Sequence, residues 1–265
     1  MEIGSILVAT LVVGGVGMLI ALFLGMASNV FRVEVNEQEE AIIEALPGNN
    51  CGGCGFPGCS GLAKAIANGE ASASACPVGG ESVANEIATI MGMEAGGATK
   101  EVAYVACNGT CENANVDYTY TGVEDCSMLA YVPSGGAKSC KDGCLGYGNC
   151  VKACPFDAIH IVNGVAVVAK EACKACSKCI AACPKELIQL IPYEAKCAVA
   201  CKSKAKGPVV MKACKVGCIG CGICMKNCPK DAIKVANLHA TIDQEKCVGC
   251  GICIEKCPKK SIQLV

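Results

Sequence analysis

The chain has no tryptophan and only two histidines, and aromatic side chains make up 4% of its 265 residues. So few rings leave little for bases to stack on, and no recognition motif accompanies its lysines, so no nucleic-acid partner is expected. His160 and His239 fall in strand-like segments where packing explains them, and no Ser–His–Asp arrangement can be assembled around either. No P-loop and no convincing flavin site is present. Gly53, Gly55 and Gly58 match the letters of the GxGxxG dinucleotide fingerprint, but no strand precedes them, a proline interrupts them and cysteines surround them. A substrate-converting active site is therefore not expected in this chain.

What the chain has instead is cysteine, 26 of them. A disulfide framework belongs to short secreted domains, whereas these cysteines sit in tight CxxC runs too close together to staple distant segments. Zinc ribbons also use CxxC pairs, but they do not explain third and fourth cysteines at fixed offsets followed by proline.

The first stretch, from Ile3 to Ser28, carries no charge and is long enough to cross a bilayer once. It lacks the basic start and short apolar core of a signal peptide. It reads as a membrane anchor over residues 1–28, with Gly17, Ala21 and Gly25 placing small side chains on one helix face. Arg32 is a weak orientation signal, and the thiols decide better: so many survive only in a reducing compartment, which puts everything from residue 33 onward in the cytoplasm.

Residues 29–99 read as a small helical domain. "EVNEQEEAIIEAL" predicts a short helix capped by Asn36, with two more near 61–68 and 80–91. Cys51, Cys54, Cys59 and Cys76 form one four-thiolate set, and the glycines between them let backbone N–H groups turn toward bound sulfur. Residues 100–139 form a cysteine-containing connection in which "EVAYVACNGTC" and "VDYTYTG" suggest short strands and 123–131 a helical turn.

From Cys140 the sequence repeats itself, giving copies at 140–192 and 215–265 separated by a cysteine-containing linker at 193–214. Each copy predicts a compact α+β unit, with Asn163-Gly164 signalling a hairpin in the first. The second copy contains two CxxCxxCxxxCP runs, Cys218, Cys221, Cys224, Cys228 and Cys247, Cys250, Cys253, Cys257. That run is the signature of [4Fe–4S] ligation, with the fourth cysteine of each run serving the other cluster. The expected sets are Cys218, Cys221, Cys224 with Cys257, and Cys247, Cys250, Cys253 with Cys228. The pattern resembles the two-cluster bacterial ferredoxins, and the first copy repeats it with Cys173, Cys176 and Cys179 joining Cys154.

The remaining site of the first copy retains Cys144, Cys150 and Cys183, but Tyr147 stands where a fourth cysteine belongs. Cys140 is the favoured replacement, although Cys214 sits at the same offset before Cys218, where nothing is missing. Aligning Cys107, Cys111 and Cys126 with Cys197, Cys201 and Cys214 would leave Cys140 free for the gap. Alternatively Cys107, Cys111, Cys126 and Cys140 form a set of their own, or the site holds a three-iron cluster or none. At least five clusters are expected, and six or more if the seven extra cysteines contribute.

Charge is divided along the chain, with three basic and fifteen acidic side chains in residues 1–137, against twenty lysines and nine acids in 138–265. The lysines sit where cluster charge needs offsetting and where an acidic protein could be steered.

The apolar N-terminal helix, the CGGCGFPGCSG loop with Cys76-Pro77 and the ferredoxin-like repeats together resemble the B-subunit family of the Rnf complexes, over essentially the whole chain. That resemblance implies an electron-transfer subunit of an ion-translocating ferredoxin:NAD+ oxidoreductase. Reduced ferredoxin would dock near the C-terminal clusters and other membrane subunits would carry electrons onward, with NAD and flavin bound on those subunits. The same loop occurs in some corrinoid iron–sulfur proteins, but a methyl carrier needs a cobalamin-binding barrel for which no length remains.

Overall fold

The computed structural model describes residues 3–30, 36–93, 97 and 100–265. Arg32 and much of the glycine-rich joint near 92–99 lie outside the described residues.

The uncharged run forms one helix, α1 (Ile3–Val30). Its Thr10–Ala27 stretch is long and apolar enough to cross a membrane, and none of that stretch is buried against the rest of the chain. Positions Gly17 and Gly25 have open space around them.

The next unit is helical. Asn36 caps α2 (Glu37–Ala45) by accepting the Gln38 N–H, and acidic side chains fill the first turn, where the helix dipole favours them. Helices α3 (Cys59–Ala67) and α4 (Gly80–Met91) pack with α2 around Ile42, Leu62, Ile66 and Ile87. Cys54, Cys59 and Cys76 border that core. Gly58 is required in the loop: its φ is +97°, and a Cβ there would come within 2.7 Å of Asn50 Oδ1, which accepts the Cys59 N–H at 2.8 Å.

The remainder is a duplicated α+β arrangement. The first half contains β1 (Glu101–Val105), α5 (Asn149–Lys152), β2 (Ile159–Val162), β3 (Val165–Val168), α6 (Lys178–Ala181) and β4 (Ile188–Pro192). The second contains β5 (Cys197–Val199), α7 (Gly207–Ala213), α8 (Ile223–Lys226), β6 (Ile233–Ala236), β7 (His239–Ile242), α9 (Ile252–Lys256) and β8 (Ile262–Leu264). Each half has two antiparallel ribbons, β1–β4 with β2–β3 and β5–β8 with β6–β7. The β2–β3 hairpin turns at Asn163 (φ 49°) and Gly164 (φ 76°), the two positive-φ positions of a type I′ turn.

The strand partners lie outside the repeated blocks. β4 pairs with β1, Val105 opposite Ile188, and β8 pairs with β5, Val199 opposite Ile262. Residues 100–139 and 193–214 thus each supply a strand to a half rather than merely connecting one. The same register makes Val105 the counterpart of Val199, and therefore Cys107 of Cys201 and Ala103 of Cys197. The two cores repeat accordingly, with Val105, Cys150, Ile159, Ala166, Cys179 and Ile188 in one and Val199, Cys224, Ile233, Ala240, Cys253 and Ile262 in the other.

Where "VDYTYTG" suggests a strand, only Val116 makes a bridge, to Lys138. The residues around Tyr118 and Tyr120 are exposed and the two rings are only half-buried, Tyr118 donating to Pro133 O and Tyr120 packing on Tyr147, so no sheet core orders them as a strand. The expected turn before 131 is a short 3-10 helix at Met128–Tyr131.

Candidate metal centres

The second half places its cysteines in two groups. Cys218, Cys221, Cys224 and Cys257 line one cavity, and Cys228, Cys247, Cys250 and Cys253 line another. Each group draws its last thiol from the opposite run, because the two runs lead into facing one-turn helices, α8 and α9. Gly222 and Gly251 start these helices with φ of 73° and 76°, turning the chain sharply around the thiols. The Ser261 N–H points at Cys257 Sγ, 3.3 Å away. Cys253 is pushed up to about 12 by burial and by the charges of Cys197, Cys247 and Cys250, so without a metal it stays a neutral thiol.

Cys197 is a fifth thiol at the second of these cavities, fully buried and beside Cys247 and Cys253. Its counterpart in the first half is Ala103, whose N–H donates to Cys173 Sγ at 3.4 Å.

In the first half, Cys154, Cys173, Cys176 and Cys179 come together. Burial, then the charges of the other three, push Cys179 up to about 11. The Ala158 N–H points at Cys154 Sγ at 3.4 Å.

The gap at Tyr147 is where sequence and structure part. Cys126, not Cys140, lines the cavity with Cys144, Cys150 and Cys183. Burial first, and then the charges of Cys144, Cys183 and Cys126, push Cys150 up to about 12. The segment between Cys107 and Cys140 is longer than that between Cys201 and Cys214, and the extra length carries Cys126 to the site. Asn149 holds it there: Asn149 Oδ1 accepts the Cys126 N–H at 2.9 Å while its amide donates to Asp125 Oδ1 at 3.1 Å. Ile223 stands at that position in the second half, where no thiol needs importing. Tyr147 packs edge-on against Tyr120 of the same segment, ring centroids 5.9 Å apart. The tyrosine at the irregular position thus packs on the segment that brings Cys126.

Cys140 lies elsewhere. Together with Cys107, Cys201 and Cys214 it lines a cavity of about 320 Å³ between the two halves. The alignment of Cys107, Cys111 and Cys126 with Cys197, Cys201 and Cys214 therefore does not describe the fold, because strand register matches Cys107, not Cys111, to Cys201. Cys111 is exposed and lines none of these cavities.

In the helical unit Cys51, Cys54, Cys59 and Cys76 surround one loop. Burial raises Cys76, while the Gly79 N–H, 3.4 Å from its sulfur, favours the thiolate and the charges of Cys51 and Cys54 oppose it. Gly53 carries this loop onto the first half: a Cβ there would stand 3.0 Å from both Cys176 Cα and its carbonyl oxygen.

Among the described residues, no three His, Cys, Asp or Glu side chains gather around a single point as one ion would require. Four sulfurs about 2.3 Å from one zinc are nearly in contact. In three of the groups the thiols ring small cavities, and backbone N–H groups aim at Cys76, Cys154, Cys183 and Cys257, which suits a multi-iron cluster bearing charge on its ligands.

The chain is similar to known proteins over most of its length. The B subunit of the Na+-translocating ferredoxin:NAD+ oxidoreductase complex of Acetobacterium woodii is 46% identical over 92% of this chain and 73% of its own length. The proton-translocating counterpart from Clostridium ljungdahlii is 44% identical over 86% of this chain and 81% of its own. The corresponding B subunit of the ion-translocating oxidoreductase complex of Methanosarcina acetivorans is 42% identical over 89% of each. The chain belongs to the B-subunit family of the Rnf complexes. An Fe–S cluster family model matches residues 46–78, spanning the Cys51 to Cys76 loop. The LdpA Fe–S cluster-binding domain matches 149–194, and the 4Fe–4S dicluster domain matches 217–261. The chain thus belongs to this family and carries iron–sulfur domains, including a ferredoxin-like one, at residues 46–78, 149–194 and 217–261.

Asn149 is the residue that sequence reading missed. Its signal was available in the contrast with Ile223 and in the unequal Cys107–Cys140 and Cys201–Cys214 spacings.

Proposed function

We propose that this chain is the membrane-anchored iron–sulfur subunit of an Rnf-type ion-translocating ferredoxin:NAD+ oxidoreductase, accepting electrons from reduced ferredoxin and passing them to membrane partners. The observation that carries this reading is the set of five four-thiol groups on the scaffold of this Rnf family. We assign the ligands as Cys51, Cys54, Cys59, Cys76; Cys154, Cys173, Cys176, Cys179; Cys126, Cys144, Cys150, Cys183; Cys218, Cys221, Cys224, Cys257; and Cys228, Cys247, Cys250, Cys253. When bound, such clusters accept and donate single electrons.

The protein's own contribution is placement and environment. Gly53 lets the Cys51 loop touch the backbone at Cys176, so the N-terminal group abuts the first ferredoxin-like half. N–H donors to the sulfurs favour the charged thiolate, and burial excludes water from the inner thiols. No residue is assigned a substrate-converting role. NAD and flavin belong to other subunits in this reading. The α1 helix anchors the chain as a single pass, with the iron–sulfur domains on the cytoplasmic side, where reducing conditions keep thiols available.

Anaerobic purification followed by iron and sulfide counting, with reduced ferredoxin added under visible-absorbance detection, tests the proposal. It predicts about four irons and four sulfides per group and bleaching by ferredoxin. Bound zinc without acid-labile sulfide would overturn it.

A further inference from the structure

We propose that Cys107, Cys140, Cys201 and Cys214 hold a further [4Fe–4S] cluster at the junction of the two ferredoxin-like halves, a site that neither half could form alone. The inference rests on the iron–sulfur reading above and deepens it.

The first support is symmetry. Cys107 is the counterpart of Cys201, and Cys140 of Cys214, so each half contributes the same two positions. Cys107 and Cys201 also bridge each other as antiparallel backbone partners, and the Asn108 N–H donates to Ala200 O at 3.1 Å. A residue can pair with its own counterpart only at the local twofold relating the halves. The four thiols therefore surround the pseudo-symmetry axis.

The second support is the cavity. Cys214 is buried and the other three are half-buried, and all four line one cavity of about 320 Å³. Close-packed interiors hold few voids larger than a water molecule, and this cavity is much larger.

Third, backbone N–H groups are aimed at the sulfurs in matched pairs. The N–H groups of Gly109 and Cys144 point at Cys107 Sγ, at 3.4 and 3.3 Å. Burial raises Cys201 and Cys140, and the backbone N–H groups of the counterparts Ser203 and Cys218, and of Asp142, act against that rise in favour of the thiolates. Donors of this kind stabilise a ligated thiolate more than a neutral thiol, whose sulfur is a weak acceptor. Lys138 closes one wall, its ammonium fixed by the carbonyls of Gly109 at 2.7 Å and Gly164 at 2.8 Å, and its charge offsets that of the thiolates.

The position explains the need for the site. Cys144 is a ligand of the group completed by Cys126, and Cys218 belongs to the first group of the second half. Each touches the central set through its N–H. The junction site thus adjoins one group in each half.

The test is anaerobic preparation of the full chain as Cys140→Ala and Cys214→Ala, with Cys111→Ala as control, followed by iron and sulfide counts and low-temperature EPR. Both variants should lose about four irons and four sulfides, or convert one cluster to a three-iron form with a new EPR signal, while the control matches wild type. Unchanged iron, sulfide and EPR in both variants would overturn the proposal even with the other clusters present. Wild-type protein with zinc and no sulfide would instead sink the broader reading. Where alanine prevents folding, the serine variants supply the same measurement at nearly native volume: an altered EPR signal from one cluster supports the site, and wild-type spectra refute it.

Discussion

Replacing Gly53 by alanine attacks the contact between the N-terminal unit and the first ferredoxin-like half without touching a ligand. The new Cβ would meet Cys176 Cα and O at 3.0 Å and its carbonyl carbon at 3.2 Å. These are backbone atoms in a loop held by neighbouring thiols, so they cannot swing aside as a flexible side chain would. Restoring ordinary contact needs the loops to separate by roughly half an ångström, and overpacking of this kind costs about 1–3 kcal/mol. Gly55→Ala is the matched control. Gly55 also lies in the Cys51 loop and has φ +84°, but nothing stands within 4 Å of its Cβ position, so it strains its own turn without pressing on Cys176. Hydrogen exchange on the cluster-loaded chain reads the difference. Gly53→Ala should raise exchange at 174–177 as well as 51–58, by about 5- to 150-fold if the whole cost appears as local opening. Gly55→Ala should affect 51–58 alone. Equal protection at 174–177 in wild type and Gly53→Ala would show that the contact does not hold the two units together.

Further outcomes follow from the ligand groups. Cys126→Ser should remove the cluster beside Tyr147, and adding Tyr147→Cys should restore it by recreating the regular run; iron counts and EPR of the single and double variants decide this. Cys197→Ala imitates Ala103 of the other half and should leave the iron count unchanged. Because burial pushes Cys150 and Cys253 to about 12 and Cys179 and Cys201 to about 11 in the cluster-free protein, ligation must displace a proton from each. Reconstitution should therefore improve as pH rises from 7 to 8, by about 1.4 kcal/mol for each displaced proton. The cluster-free chain behaves oppositely: its raised thiol pKa values stabilise the fold below about 9, the ordinary thiol value, and that contribution is lost as pH rises toward 11 and 12. Denaturation of the cluster-free protein across that range checks the sign.

Spacing along the chain determined a great deal by itself. An uncharged run of this length specifies a helix that can cross a membrane, because composition alone sets its solvent. The CxxCxxCxxxCP runs specify crossed thiol groups, because three close cysteines and a distant fourth leave a tight turn few alternatives. The duplication of the cores was legible for the same reason, since matching CP, AI and IQL positions repeat at a fixed distance. Tertiary structure alone decided the partners of the irregular cysteines. Cys126 reaches the Tyr147 site through the Asn149 amide, a contact between residues well separated in sequence that no local pattern encodes. Cys140 faces Cys107, Cys201 and Cys214 because β1 and β5 bring equivalent residues together across the junction of two halves. That register comes from pairing with β4 and β8, so only the folded chain places those four thiols around one cavity.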